Sequence, residues 1–458
     1  MANALGVWMN GEHVGIWHAT RGGTSTFKYD PSWTASPAAR PLSLSLPITA
    51  GASEHRGTTV TSYFDNLLPD SDVIRRRLAR RFRTQSLSSF DLLTAIGRDC
   101  VGAVQLSPAD TEPVGWNLVR SEVLGEQQVE QILRAATSDA PLGQSADPDD
   151  FRISIAGAQE KTALLRYGGA WRRPHGPTPT THILKLPLGI VGHMRADMEE
   201  SVENEWLCAQ VLRELGLPVA NSEMATFGSQ RALVVERFDR RWMGVAQRST
   251  DAPRFKPGNG TWIARLPQED FCQATGTPPS LKYEADGGPS MGDCLDILAS
   301  SGRPSQDRLD FVLAQLAFWL LAATDGHAKN FSIFHLRGGS FEMTPLYDVI
   351  SAWPIIGKGP KLIAEQDARL AMSVRSKNAH SRIREIRSRH WKTLATRTGI
   401  PLAWERMLHM ATAAGDALER IGNVLPKDFP SRVFDRIRIG VTRSAKQFLR
   451  EADSIVGD

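Results

Sequence analysis

Ala322-Ala-Thr-Asp-Gly-His-Ala-Lys-Asn-Phe-Ser-Ile-Phe334 is the stretch on which the reading of this chain turns. It follows an apolar run, Phe311 to Ala323 interrupted by Gln315, that reads as a buried helix. Just beyond the run, Asp325 and Asn330 stand five positions apart, and a second Asp, in Pro345-Leu-Tyr-Asp-Val-Ile350, comes eighteen positions after Asn330. One carboxylate to accept a hydroxyl proton, with an amide oxygen and a second carboxylate to hold metal, is the set of groups that phosphoryl transfer asks of a protein. The expectation is a phosphotransferase whose remaining parts lie elsewhere in the chain.

Bulk properties narrow the classes. At 458 residues the chain exceeds one ordinary core, so roughly two or three domains are expected. Hydrophobic residues at 41% and charged ones at 23% describe a folded soluble protein, not a disordered one. A net charge of +4 is too small to demand a polyanionic partner. Cys100, Cys208, Cys272 and Cys294 form no Cys-x-x-Cys pair, which fits reduced, buried thiols in a cytoplasmic protein better than a disulfide or zinc framework. The histidines are scattered, so a histidine-ligated metal is not expected, and His327 beside Asp325 borders a nucleotide more readily than it ligates zinc. Met1 to Asn10 shows no basic leader before an apolar core, and no apolar run reaches the roughly 20 residues of a membrane span. A cytoplasmic protein without membrane attachment is expected.

Residues 1 to about 110 alternate short apolar runs with turn residues and read as a small α+β module. Asn10-Gly11 between two apolar stretches predicts a hairpin. Leu42-Ser-Leu-Ser-Leu46 alternates strictly between Pro41 and Pro47 and predicts a strand. Ser71 is placed to cap a basic helix from Asp72 to Phe82, whose arginines read as a solvated face paired with local acids, a nucleic-acid contact being the other reading. Residues 138–150 are rich in Pro, Gly and Asp and read as a linker.

Past the linker, Phe151 to Leu165 holds two β-rich pieces around the small-residue turn Ala156-Gly157-Ala158, followed by Gln159, Glu160 and Lys161. Small residues let backbone N–H groups approach phosphate oxygens, and Lys161 adds charge; a plain hairpin turn is the alternative. Thr180 to Pro187 reads as a strand carrying Lys185 among apolar neighbours, where a lysine needs an anionic partner. Met198 to Leu215 reads as an acidic helix, Ala232 to Asp239 as an apolar strand running into Glu236, Arg237 and Phe238, and Arg265 to Gln273 as the start of a helix. Residues 243–262 read as a surface loop, and Tyr283 to Pro289 as a Gly-rich loop.

Phe151 to Leu165, Thr180 to Pro187, Glu236 to Trp242, Arg265 to Gln273, Ala323 to Phe334 and Pro345 to Ala352 together resemble the HipA family, the serine/threonine kinase toxins of bacterial type II toxin–antitoxin systems. Phe64 to Ser71 and Gly97-Arg-Asp-Cys-Val-Gly-Ala-Val104 resemble that family's N-terminal module, and the loop at 243–262 reads as an insertion. The resemblance implies a two-lobed protein-kinase-like (phosphatidylinositol-kinase-like) α+β fold. It has an N-terminal module over 1–137, the linker, a nucleotide-binding N-lobe core over 151–240 and a mostly α-helical C-lobe over 241–458.

Position by position, the resemblance implies that Asp325 is the catalytic base and that Asn330 and Asp348 hold Mg²⁺. Ala156, Gly157, Ala158, Gln159, Glu160 and Lys161 would form the phosphate loop, Lys185 would touch the ATP phosphates, and Glu236, Arg237 and Phe238 would be the adenine hinge. His327, Ala328, Lys329 and Tyr347 would border the nucleotide. Ser154 matches the serine that the family autophosphorylates to silence itself, in keeping with a dianion competing with ATP phosphates for the same donors. The implied partners are glutamyl-tRNA synthetase as substrate, whose modification stalls translation and leads to growth arrest and persistence, and a HipB-type helix-turn-helix antitoxin that represses operator DNA together with the toxin.

The basic segment from Arg369 to Arg397, with Glu385 its one acid, and the C-terminal arginines form a cluster that would attract phosphate. Arg389, Lys392 and Arg397 are the expected DNA contacts, a solvated face being the alternative. Two other functions remain in view: a kinase-inactive corepressor, and a small-molecule phosphotransferase. Against the second, Gly326 and His327 follow Asp325, whereas aminoglycoside phosphotransferases place His and Gly before it.

Overall fold

Asn10 and Gly11 both take positive φ, 49° and 84°. They turn strand Ala4–Met9 into Glu12–Ala19 with Met9 facing Glu12, as an Asn-Gly pair does when the turn must follow the strands' twist. This hairpin is the centre of an antiparallel five-stranded sheet ordered Glu54–Arg56, Ser25–Tyr29, Glu12–Ala19, Ala4–Met9, Val104–Pro108. Helices Thr58–Asp65 and Ser89–Ile96 contribute to its core, where the Trp17 and Phe64 rings stack at 3.9 Å. The structure, a computed structural model, describes residues 4–19, 24–49, 54–137, 157, 159–191, 195–244 and 260–456. Ser154, Ala156, Ala158 and the linker 138–150 lie outside the described residues.

Two units make up the chain. The first comprises Met1–Leu186, Ala225–Ser280 and Ser332–Phe341, and the second comprises Pro187–Met224, Leu281–Phe331 and Glu342–Asp458. Besides the sheet just described, the first unit holds another, ordered Gln230–Glu236, His182–Lys185, Lys161–Tyr167, Ala170–Pro174, Ser121–Leu124, with the end of Ser222–Phe227 beyond Gln230–Glu236. Helix Glu126–Ala136 buries Val129, Ile132 and Leu133 against Leu124, Leu164, Leu184 and Val234 of this second sheet. The expected module boundary at 137 therefore gives way. Residues 121–136 are a strand and a helix of the second layer, because an amphipathic helix of that length needs a sheet face to bury its apolar stripe.

Two further expectations are corrected in this unit. Leu42 to Leu46 is not a strand but a tight turn, with Leu46 N–H donating to Ser43 O. Its backbone is satisfied by side chains instead of a ladder: Leu44 N–H donates to Glu269 Oε1, Leu42 N–H to Tyr29 Oη, and Tyr29 Oη–H to Leu46 O. Alternation and flanking prolines match such a side-chain-tethered turn as well as a strand. The segment from Arg265 likewise begins with strand Gln268–Asp270, which pairs with Ser332–His335, and only then enters helix Phe271–Thr275, capped by Asp270 and Gln273. Both strands lie in the first unit, so the expected C-lobe over 241–458 is not one continuous body.

The second unit is mostly helical: Ser201–Glu214, Met291–Leu298, Pro304–Leu321, Ser388–Thr398, Ala403–Gly422 and Ser431–Val456, with two antiparallel strand pairs, Gly189–Val191 with Ala196–Met198 and Arg369–Arg375 with Ala379–Arg382. Pro304–Leu321 is buried from Phe311 to its end, and Trp319 packs between Trp391 and Phe448, each ring centre 6.2 Å away. Each such large buried side chain stabilises by roughly 1.5–3 kcal/mol over its exposed state. The α+β class stands. No helix among the described residues is long and apolar enough to cross a membrane.

Candidate active site

Helix Pro304–Leu321 ends where Ala322 takes the left-handed conformation, φ 49°, and Ala323 N–H returns to Phe318 O at 2.8 Å. That stop delivers the next residues to a compact turn. His327 N–H donates to Asp325 O at 2.8 Å, and Ala328–Asn330 form one 3₁₀ turn. The Asn330 amide then does the joining. Its Nδ2 donates to Asp325 O at 2.9 Å and reaches Asp348 O at 3.4 Å, so three residues spread over 24 positions are tied at one point. Tyr347 Oη–H donates to Lys329 O at 2.8 Å, a second tie between the same two segments.

Asp348 is itself a non-glycine residue at φ 60°, a conformation that costs energy and persists only when its surroundings impose it. They do so on both sides. Before it, Leu346 forms a parallel bridge with Val219. After it, Ser351 is clamped by Asn204, which accepts from Ser351 N–H at 2.9 Å and donates to Ser351 O at 2.8 Å, while Ser351 Oγ–H donates to Leu321 O at 2.5 Å. Asn204 and Ser351 carried no signal in the sequence, because a clamp across 147 positions has no period.

The Asp325 carboxylate points outward, 64% exposed, whereas His327, Lys329 and Asn330 are buried. Tyr283 Oη–H donates to Asp325 Oδ1, and the Tyr283 ring lies edge-on to His327 at 4.9 Å. Gly326 has no room for a side chain: a Cβ there would fall 2.3 Å from Phe318 Cδ2. Among the described residues no three His, Cys, Asp or Glu converge as a metal cluster.

In the first unit, Gly157 takes φ 110°, a backbone conformation that favours glycine, and a Cβ on it would lie 2.5 Å from the Lys161 Nζ beside it. Gly157 also pairs with Pro69 and accepts from Asp70 N–H at 3.1 Å, Gln159 Nε2 donates to Leu186 O at 2.6 Å, and Arg77 bridges to Glu160 at 2.5 Å. The Phe64–Ser71 motif thus supports this loop; Arg75 holds it in shape through Asp65 at 2.8 Å and Pro69 O at 2.6 Å. Lys185 is buried in the central strand, at the same register as Lys161 on the neighbouring strand.

The expected hinge is only partly usable. Glu236 is exposed and Phe238 packs edge-on to Phe334 at 5.7 Å, but Arg237 is turned inward. Its N–H donates to Thr181 O, and its guanidinium spends its donors on Asp239, Asp99, Thr180 and Cys100 O. The Arg237 side chain is therefore the heart of a buried ion cluster with Arg240 and Arg265.

Of the expected DNA contacts, Arg389 and Arg397 are exposed on helix Ser388–Thr398 and Lys392 is half-buried. The basic tally around them is offset by remote acids: Arg375 pairs with Glu284, Arg387 with Glu451, Arg432 with Glu200 and Arg443 with Glu365.

Residues 5–107 match the model for the HipA N-terminal domain, and residues 153–421 that for the HipA-like C-terminal domain. A putative kinase, Y4mE, of Sinorhizobium fredii is 31% identical over 423 residues, 91% of each chain. The serine/threonine-protein kinase toxin HipA of Shewanella oneidensis is 27% identical over 342 residues, 72% of this chain and 70% of its own. The solved structure of Shewanella oneidensis HipA with HipB and operator DNA superposes with a TM-score of 0.76 at 22% identity, over 98% of this chain and 99% of that one, so the two share a fold. With its C-terminal domain matched over 153–421 and a relative 31% identical across 91% of its length, the chain belongs to the HipA family.

Proposed function

We propose that this chain is an ATP-dependent serine/threonine protein kinase acting as the toxin of a HipBA-type pair. The observation that carries the reading is the Asn330 amide, which ties the Asp325 turn to the Asp348 segment and leaves one exposed carboxylate beside an amide and a second carboxylate. Asp325 accepts the proton of the attacking hydroxyl. Asn330 and Asp348 would hold Mg²⁺, and the donor set fits: Nδ2 is used in both hydrogen bonds, so Asn330 Oδ1 and the Asp348 carboxylate supply the hard oxygen donors that ion takes. When bound, the ion supplies neutralisation of the charge that develops on the transferring phosphate.

The phosphate loop of Ala156, Gly157, Ala158, Gln159, Glu160 and Lys161 receives the ATP phosphates together with Lys185. Lys161 and Lys185 face each other at one cross-strand register, so both ammoniums serve one stretch of the loop, which supports this assignment. Glu236 and Phe238 border the adenine, and His327, Ala328, Lys329 and Tyr347 the rest of the nucleotide. Ser154 is the autophosphorylation site, glutamyl-tRNA synthetase the protein substrate, and a HipB-type antitoxin the partner in operator repression, with Arg389, Lys392 and Arg397 touching DNA phosphates. The Ser154 and glutamyl-tRNA synthetase assignments rest on the family resemblance, and the antitoxin and DNA assignments also on the solved HipA–HipB–operator DNA relative.

The test is phosphate transfer from radiolabelled Mg-ATP to glutamyl-tRNA synthetase and to the chain itself, with peptide mass spectrometry to place the phosphate. Asp325→Ala is expected to lose transfer by at least about 100-fold, the lower end of what a general base contributes, while keeping the parent's melting temperature. Transfer at the parental rate by Asp325→Ala would sink the assignment. Phosphate on neither protein would leave a corepressor without kinase activity.

A further inference from the structure

We infer that Tyr283 is a positioning residue for phosphoryl transfer, and that Lys282-Tyr-Glu-Ala-Asp-Gly-Gly288 is the mount that aims its phenol at Asp325. The inference rests on the reading of Asp325 as the base. Asp325 presents a problem that its own turn does not solve. Asn330 holds its main-chain carbonyl at 2.9 Å, but the carboxylate beyond is 64% exposed. His327 Nε2, at 3.8 Å from Oδ1, is beyond hydrogen-bond reach. Tyr283 Oη–H donates to that same Oδ1. With Oδ1 engaged, the side chain is held in one rotamer and Oδ2 is the oxygen presented to an incoming hydroxyl.

The mount is built for this. Gly288 N–H and Asp286 N–H both donate to Tyr283 O, at 2.9 and 3.1 Å, closing the chain into a tight loop. Gly287 takes φ 95°, and a Cβ on Gly288 would fall 2.0 Å from Leu281 O, so the loop requires both glycines. Glu284 fastens it to the hairpin by accepting from Ser373 N–H at 2.5 Å and Arg375 Nη2 at 2.7 Å. Lys282 O accepts from Ala328 N–H at 3.4 Å, inside the catalytic turn itself. The phenol ring rests edge-on against His327 at 4.9 Å, so its direction is set by packing as well as by the hydrogen bond. An aromatic held by its neighbours and donating to a solvent-facing carboxylate is preorganisation, because it restricts the orientation of the base before the hydroxyl arrives.

The test compares Tyr283→Phe, Tyr283→Leu and the parent as full-length chains. Three quantities are read: the rate of phosphate incorporation from saturating Mg-ATP by intact-mass spectrometry, the ATP dissociation constant by titration, and the Tyr283 ¹³Cζ resonance with and without Asp325→Ala. Loss of the hydroxyl alone is expected to slow incorporation about 10-fold, within the cost of misplacing a catalytic group, and to leave ATP affinity within about twofold. Tyr283→Leu should be no more than a few-fold slower than Tyr283→Phe, since the hydroxyl and not the ring does the positioning. The Tyr283 resonance should move when Asp325 is replaced. Tyr283→Phe at the parental rate, a faster Tyr283→Phe, or a resonance indifferent to Asp325 each overturns the inference. A parent that incorporates no phosphate at all removes the kinase reading and this inference with it, whereas an active parent beside an indifferent Tyr283→Phe removes only the inference.

Discussion

Replacing Asp99 with asparagine tests how the first unit is held together. Asp99 is buried, and its two oxygens accept from Arg237, Arg240, Arg265, Thr180 N–H and Thr180 Oγ–H, at 2.7 to 3.3 Å. Asp99→Asn keeps the shape and removes the charge, leaving three buried guanidiniums against Asp239 alone. Removing one partner of a buried ion pair costs about 3–5 kcal/mol, because the remaining charge stays desolvated. For a unit of this size that corresponds to a fall in melting temperature of roughly 6–20 °C. Burial alone would push the Asp99 carboxyl up, but Arg240, Arg237 and Arg265 outweigh it and hold the group well below the usual carboxylate range. Its stabilisation is therefore fully present above the unfolded-state value of about 3.9 and drains as pH falls below it, where the unfolded chain takes up the proton first. Urea unfolding of parent and Asp99→Asn at pH 7, repeated down to pH 3, reads both effects. A variant within about 1 kcal/mol of the parent at pH 7, or a parent whose stability shows no extra acid loss, refutes the reasoning.

Gly326→Ala places a methyl against the buried Phe318 ring and is expected to destabilise by about 1–3 kcal/mol while displacing the Asp325 turn, so phosphate transfer should fall more steeply than the fraction folded; equal losses in a parallel melt and kinase assay would contradict this. His182 is held down to about 4 by burial and by Arg166, so it stays neutral in the fold, and the stability it lends is present above about pH 6.5 and lost as pH falls toward 4. His182→Gln should flatten the stability profile across that window, and a profile as steep as the parent's would exclude the group.

The candidate site was legible in the sequence where its chemistry is local. Asp325, Asn330 and Asp348 sit at spacings that one turn and one returning segment can satisfy, and the structure joins them through a single amide. Ser71 as a cap and Asn10-Gly11 as a turn were readable for the same reason, since each acts on backbone groups within three positions. Arg237 shows the limit. A hinge position could be assigned by order along the chain, but the direction of its side chain depends on Asp99, 138 positions away.

The basic segments taught the same lesson in charge. Counted along the sequence, Arg369 to Arg397 met a single acid, but Arg375 and Arg387 are paired with Glu284 and Glu451 from other elements. Leu42 to Leu46 alternated like a strand and became a turn because Glu269 and Tyr29 supplied the hydrogen bonds a neighbouring strand would have supplied.

By itself, then, the sequence pointed to the candidate site stretch, to many of the helices and turns around it, and through the order of its motifs to the family. Periods of 2 and 3.6 residues and capping preferences are properties of short segments, and they hold wherever remote partners do not override them, as Glu269 and Tyr29 do at Leu42 to Leu46. Only the tertiary structure decided that Tyr283 meets Asp325, that Asn204 clamps the segment behind Asp348, and that residues 121–136 complete the second sheet. Those contacts join residues tens to hundreds of positions apart, and their partners are chosen by packing, for which no local pattern of residues is a record.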